Sequence, residues 1–126
     1  MTQALTLGVK FGVIAIGEAS VRRHLAAFDD MSLSARLAGD RPLGLSVSDL
    51  ADPTITLDRM IETGRTLRDT DGADVLIMGC AGMAQYREQI ETATGLPVIE
   101  PCQAAVALAL GRISLGLIHK EAQHAR

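Results

Sequence analysis

Two cysteines, three histidines and fifteen acidic residues are the groups of this 126-residue chain whose chemistry could go beyond folding. Cys80 is the most informative of them. It follows the apolar run Asp74 to Met78, stands between Gly79 and the pair Ala81-Gly82, and opens a stretch that reads as a helix. At such a position backbone N–H groups and the positive end of a helix dipole favour a thiolate and can also hold an anion such as a substrate carboxylate. The competing reading is a small buried hydrophobe, because free cysteine is among the most buried residue types. Gly79 and Gly82 predict a tight turn that lets the backbone approach such an anion closely. Cys102 follows the next apolar run and is either a second thiol of the same crevice or a buried small residue at a helix start.

The remaining candidates are weaker. Glu18 and Ser20 fall in the turn after the first apolar run and could line a crevice, although capping a helix explains Ser20 equally well. Glu100 is the acidic residue at the end of the fourth run, where its alternative role is an anion facing the dipole of the following helix. His24 lies in Arg22-Arg23-His24 and is expected on a solvated helix face. The cysteine spacing does not suit zinc, and His119 and His124 sit in a polar tail, so no metal site is expected. Two cysteines in a chain of this size do not make a disulfide framework either.

These groups must be held by something, and the hydrophobic pattern says what. Val9 to Ile16, ended by Gly17, suits a strand buried on both faces. Val21, Leu25 and Phe28 then trace one stripe of a helix running from a cap at Ser20 to about Asp30. Ser34 to Ala38 reads as a second short strand and the stretch from Gly39 to Gly44 as a loop. Asp52 followed by Pro53 starts the next helix, with Leu57, Met60, Ile61, Gly64 and Leu67 as its inner stripe up to Gly72. Asp74 to Met78 is a strand, and Gly79 to Gly82 a turn leading into a helix through Tyr86, Arg87 and Ile90 that Gly95 stops. Leu96 to Ile99 is the fourth strand, and Pro101 begins a last helix rich in alanine and leucine. The alternation predicts a three-layer α/β/α fold with a four-stranded parallel sheet, one domain over residues 1–126, and a ligand crevice at the carboxyl ends of the strands.

Composition excludes several classes of function. A net charge of −3 with no basic cluster argues against nucleic acid, as does the scarcity of aromatic rings, limited to Phe11, Phe28 and Tyr86. The beginning of the chain lacks the features of a secretory signal, and the stretch from Ala104 to Ile118 is interrupted by Arg112 and short for a membrane span of about 20 residues. A cytoplasmic location is expected. That same stretch is apolar around nearly its whole circumference, where a helix on one small sheet needs only a stripe of about 100°. A homodimer or higher oligomer is expected to cover it.

The segment Gly79-Cys80-Ala81-Gly82-Met83, preceded by Asp71 to Met78 and followed by Leu96-Pro97-Val98-Ile99-Glu100-Pro101, resembles the second cysteine segment of the aspartate/glutamate/hydantoin racemase superfamily. Its Ala-Gly-Met is most similar to the hydantoin and allantoin racemase branch, and Leu7 to Ile14 and Arg36 to Gly44 fit that branch as well. The resemblance runs from about Leu5 to about Leu110. It implies a half of a protein built from two pseudo-symmetric α/β domains, each offering one cysteine to opposite faces of the substrate Cα, without a cofactor. Cys80 matches the cysteine of the second domain; the first domain and its cysteine have no counterpart here. The resemblance therefore implies Cys80 as catalytic acid/base, with Gly79, Ala81, Gly82, Met83 and Ser20 toward the substrate, which would be an amino acid, a hydantoin or another small carboxylate. Two other functions stay open at this point: one-sided proton chemistry such as decarboxylation by a single cysteine, and a truncated domain that binds a partner or carboxylate without turning it over.

Overall fold

The computed structural model describes residues 1–117, so Ile118, His119 and His124 lie outside the described residues. Its centre is a sheet of four parallel strands in the order β2-β1-β3-β4, formed by β1 (Phe11–Ala15), β2 (Leu37–Pro42), β3 (Val75–Met78) and β4 (Val98–Ile99). Five α-helices among the described residues accompany it: α1 (Glu18–Asp30), α2 (Val47–Leu50), α3 (Pro53–Asp69), α4 (Arg87–Thr94) and α5 (Pro101–Ser114). β1 and β3 are buried along their whole length, as continuous apolar runs in a parallel sheet must be. Ile14 pairs with Met78 and Ile77 with Ile99, so the carboxyl ends of β1, β3 and β4 share one edge.

The two faces of the sheet carry separate cores. On one, Ile14, Leu76, Met78 and Val98 pack against Met60 and Leu67 of α3 and Ile90 of α4. On the other, Phe11, Val13, Val75, Ile77 and Ile99 meet Phe28 of α1 and Ala104 at the root of α5. Phe11 and Phe28 touch edge to face with ring centroids 5.2 Å apart, the favoured geometry for aromatic pairs. The expected three-layer parallel α/β/α fold is therefore what forms.

Local signals explain the helix ends. Asp52 caps α3 by accepting from the backbone N–H of Thr54 and Ile55, with Pro53 in the first turn. Gly95 ends α4 in the left-handed conformation, φ 70°. Ser46 and Asp49 form a reciprocal capping box on the short α2, an element not anticipated although its Ser-x-x-Asp signal is in the sequence.

Three expectations are corrected. The second strand is Leu37–Pro42, not Ser34 to Ala38, and the supposed loop residues Gly39 to Pro42 pair with Gly12 to Ala15. An edge strand is held by backbone hydrogen bonds and tolerates charge and a terminal proline, so composition alone reads it as a loop. Gly17, not Ser20, precedes α1 as its cap, and Ser20 is a buried residue of the first turn whose hydroxyl accepts from Arg23. The inner stripe of α1 is accordingly Ser20, His24 and Phe28, while Leu25 faces outward. That turns His24 inward rather than into solvent.

Candidate active site

β3 delivers Gly79 and Cys80 to the carboxyl edge of the sheet. Gly79 N–H donates to the Ile14 carbonyl at 2.9 Å, extending the β1–β3 pairing one residue past the strand. A Cβ at Gly79 would lie 2.8 Å from that carbonyl oxygen, 3.0 Å from His24 Cε1 and 3.3 Å from Ala15 Cα. Only glycine fits, because one of the obstructing atoms is backbone in the sheet. The expected close backbone approach at Gly79 is present, but what approaches is β1 and α1.

Cys80 follows in extended conformation, φ −142° and ψ 125°, half-buried against the α3/α4 core. It does not open an α-helix. Ala81–Tyr86 forms a 3-10 segment kinked at Met83, whose φ is −114°, and α4 begins only at Arg87. The dipole expected to act on Cys80 is thus displaced by the 3-10 segment and acts over the first turn of α4 instead. Gly82 has no positive φ, and a Cβ there would meet only Cys80 Sγ, at 3.7 Å. Its smallness leaves open the space beside the sulfur. Ala81 is exposed on the same segment, and Met83 turns inward and is buried with Tyr86 in the core.

The fourth strand brings Glu100, Cys102 and Gln103 to the same edge. Glu100 is 2% exposed and caps α5, accepting from Cys102 N–H at 3.0 Å and Gln103 N–H at 2.8 Å. Its two oxygens therefore satisfy donors that a helix start leaves open. Cys102 is exposed in the first turn of α5 and is not the buried small residue that was the alternative to a thiol role. Glu18 starts α1 at the end of β1. The topology places Cys80, Cys102 and Glu18 along one edge; Ser20 is turned into the α1 side of the fold.

Asp40 is a residue that the sequence did not single out. On β2 opposite Val13, it accepts from or donates to His24 Nδ1 at 2.9 Å, with its side chain 1% exposed and that of His24 22%. Burial pushes the Asp40 carboxyl above its ordinary value, against the lowering effect of His24. No sequence signal marked it, because its burial comes from the pairing of β2 with β1 and the composition of Gly39 to Pro42 reads as a loop. Arg41, its neighbour, forms a two-pronged ion pair with Asp71 at 2.6 and 2.7 Å, and the guanidinium holds the Asp71 carboxyl below the ordinary range. Among the described residues no group of three or more His, Cys, Asp or Glu side chains is arranged to hold a metal ion. No helix among them is long and apolar enough to cross a membrane.

A parallel α/β layer with a cysteine turn at its carboxyl edge defines a class of domains in which strand-end loops carry the chemistry. The chain belongs to the Asp/Glu/Hydantoin racemase family, whose profile matches residues 1–109. It is 31% identical over 98 residues to a hydantoin racemase of Paenarthrobacter aurescens, covering 76% of this chain and 42% of that one. A hydantoin racemase of Pseudomonas sp. (strain NS671) is 29% identical over 89 residues, covering 70% of this chain and 36% of that one. The crystal structure of an allantoin racemase from Pseudomonas fluorescens superimposes with a TM-score of 0.87 at 29% identity, over 97% of this chain and 52% of that chain. The chain spans about half the length, or less, of the relatives it matches.

Proposed function

We propose that this chain is one cysteine-bearing half-site of a cofactor-independent racemase acting at the Cα of an amino acid or a hydantoin-type substrate. The observation that carries the reading is Cys80, which sits at the carboxyl end of the central strand β3 with open space beside its sulfur at Gly82. In this reading the Cys80 thiolate removes the Cα proton, the electron pair passes into an enolate-like system, and an acid on the opposite face returns a proton to Cα. Protons balance, and the configuration inverts. Gly79, Ala81, Gly82 and Met83 form the turn that presents the thiol, and the backbone N–H groups near it face the substrate.

The opposite face needs a second group, and α5 suggests where it comes from. Val106, Leu108, Leu110, Ile113, Leu115 and Leu117 are each between 45% and 75% exposed, a bare apolar surface on and just beyond one helix. A patch of that kind marks an interaction surface, and the relatives carry roughly as much chain again. A second copy of the chain joined through this surface would supply the opposing acid/base, making the active form a homo-oligomer acting on small carboxylates.

The test is solvent deuterium incorporation at Cα together with loss of optical rotation, over a panel of amino acids and 5-substituted hydantoins, with Cys80→Ala as control. Exchange with inversion that vanishes in Cys80→Ala is the expected result; exchange that survives in the variant overturns the assignment. One observation favours a second reading, since Cys80 is the only cysteine on its turn and Cys102 lies on a different element. A single thiol suits protonation on one face after decarboxylation, which would appear as carbon dioxide release with one-sided deuterium incorporation.

A further inference from the structure

Resting on the assignment of Cys80 as the acid/base, we propose that His24, oriented by Asp40, is a positioning residue that holds the Gly79–Cys80 turn in place.

Asp40 is the starting point. A carboxylate whose side chain is 1% exposed is costly to desolvate. Its two oxygens are unequally served: Oδ2 meets His24 Nδ1 at 2.9 Å, while Oδ1 is buried without a hydrogen-bond partner among the described residues. An apolar side chain of the same size at this place on β2 would avoid that cost, so burial and packing alone do not explain an acid here. What Asp40 does that an apolar group could not is fix the imidazole by its Nδ1.

The fixed ring then has one consequence within reach. Its Cε1 edge lies 3.0 Å from where a side chain on Gly79 would start, so the ring closes off that side of Gly79. From the other direction the Ile14 carbonyl accepts the Gly79 N–H at 2.9 Å. Gly79 is therefore gripped between β1 and an α1 side chain that is itself tied to β2. Phe28 backs the imidazole, its ring centroid 6.2 Å away. The residue immediately after this grip is Cys80, which has no α-helix to anchor it, only a kinked 3-10 segment. The rigidity of the thiol's backbone comes from behind, through Gly79.

Asp40→Leu and Asp40→Asn separate this role from a merely structural one. Leucine removes the buried carboxylate and the bond to Nδ1; asparagine keeps a carbonyl that accepts from Nδ1–H. Amide hydrogen exchange at Gly79, read by NMR, should be at least about tenfold faster in Asp40→Leu, with core amides of α3 unchanged, and within about threefold of wild type in Asp40→Asn. A residue that only fills space predicts the reverse, since leucine should leave Gly79 as protected as before. His24→Ala provides a second route and should accelerate Gly79 to a similar extent, with no further gain in the double variant. Unchanged Gly79 exchange in both Asp40→Leu and His24→Ala overturns the proposal, as does acceleration spread evenly over the sheet. In the same variants Cα deuterium exchange should fall in kcat with KM retained. If the wild-type chain exchanges no substrate at all, the reading of Cys80 fails while the amide result still decides the grip.

Discussion

Replacing Gly79 by alanine should be strongly destabilising for the addition of a single methyl group. The added Cβ would sit 2.8 Å from the Ile14 carbonyl oxygen and 3.0 Å from His24 Cε1. Side-chain tips can yield by rotating, but the carbonyl belongs to β1 and accepts the Gly79 N–H, so relief requires parting two central strands. Overpacking costs about 1–3 kcal/mol, and a backbone obstruction puts this site at the upper end, about 3 kcal/mol. For a chain of this length that lowers Tm by roughly 10 °C. Gly111 supplies the contrast: it lies inside α5 with nothing within 4 Å of its Cβ position, so Gly111→Ala should gain about 0.5–1 kcal/mol from helix propensity. Gly64 is intermediate, facing the methyl groups Thr94 Cγ2 at 3.0 Å and Leu76 Cδ1 at 3.1 Å. There the helix gain and the crowding should nearly cancel. Urea unfolding of the three variants measures all of this, and a Gly79→Ala protein within about 0.5 kcal/mol of wild type would refute the steric reasoning.

Other consequences can be measured as directly. Met60 is fully buried between α3 and the sheet, and Met60→Ala should cost about 2–5 kcal/mol in the same unfolding assay. Gly82→Ala should leave stability nearly unchanged while its methyl, 3.7 Å from the sulfur, slows alkylation of Cys80 in a Cys102→Ala background; an unaltered rate would mean the sulfur is reached from another side. Asp40 and Asp71 should respond to pH with opposite signs. Burial raises the Asp40 carboxyl, so its contribution is fully present below the ordinary carboxylate value and is lost as pH rises through the raised one; the Tm advantage of Asp40→Asn should therefore grow on going from acid to neutral pH. The Arg41 hydrogen bonds lower the Asp71 carboxyl, so its contribution is present above the ordinary value and lost as pH falls through the lowered one. The Tm difference between wild type and Asp71→Asn should shrink on acidification.

Much of this fold is legible in the chain because its central strands and its helix starts obey local rules. Phe11 to Ala15 and Val75 to Met78 are unbroken apolar runs, Asp52-Pro53 is a cap with a first-turn proline, and Gly95 stops a helix in the conformation that glycine adopts most readily. What is not legible depends on contacts distant in sequence. β2 is held by its ladder with β1 and carries Gly39, Asp40, Arg41 and Pro42, a composition belonging to loops. The pattern places Leu25 on the inner stripe of α1, whereas in the fold His24 turns inward to meet Asp40, a partner distant in sequence, and Leu25 faces outward. For the site, the position of Cys80 at a strand end was visible, whereas the 3-10 segment behind it was not. Glycines and alanine at 79–82 serve a turn, a 3-10 segment or an α-helix start equally well, and only the packing of Met83 and Tyr86 decides among them.

The bare surface of α5 has a thermodynamic consequence beyond recognition. A helix of 14 residues is marginal by itself in water, since most helical stability in proteins comes from packing an apolar face. In α5 only the root near Ala104 is packed on the sheet, so the distal turns draw their stability from whatever covers them. Order in that helix and occupancy of its surface are then one equilibrium governed by mass action, and with a second copy of the chain as the proposed occupant the melting temperature would rise with chain concentration.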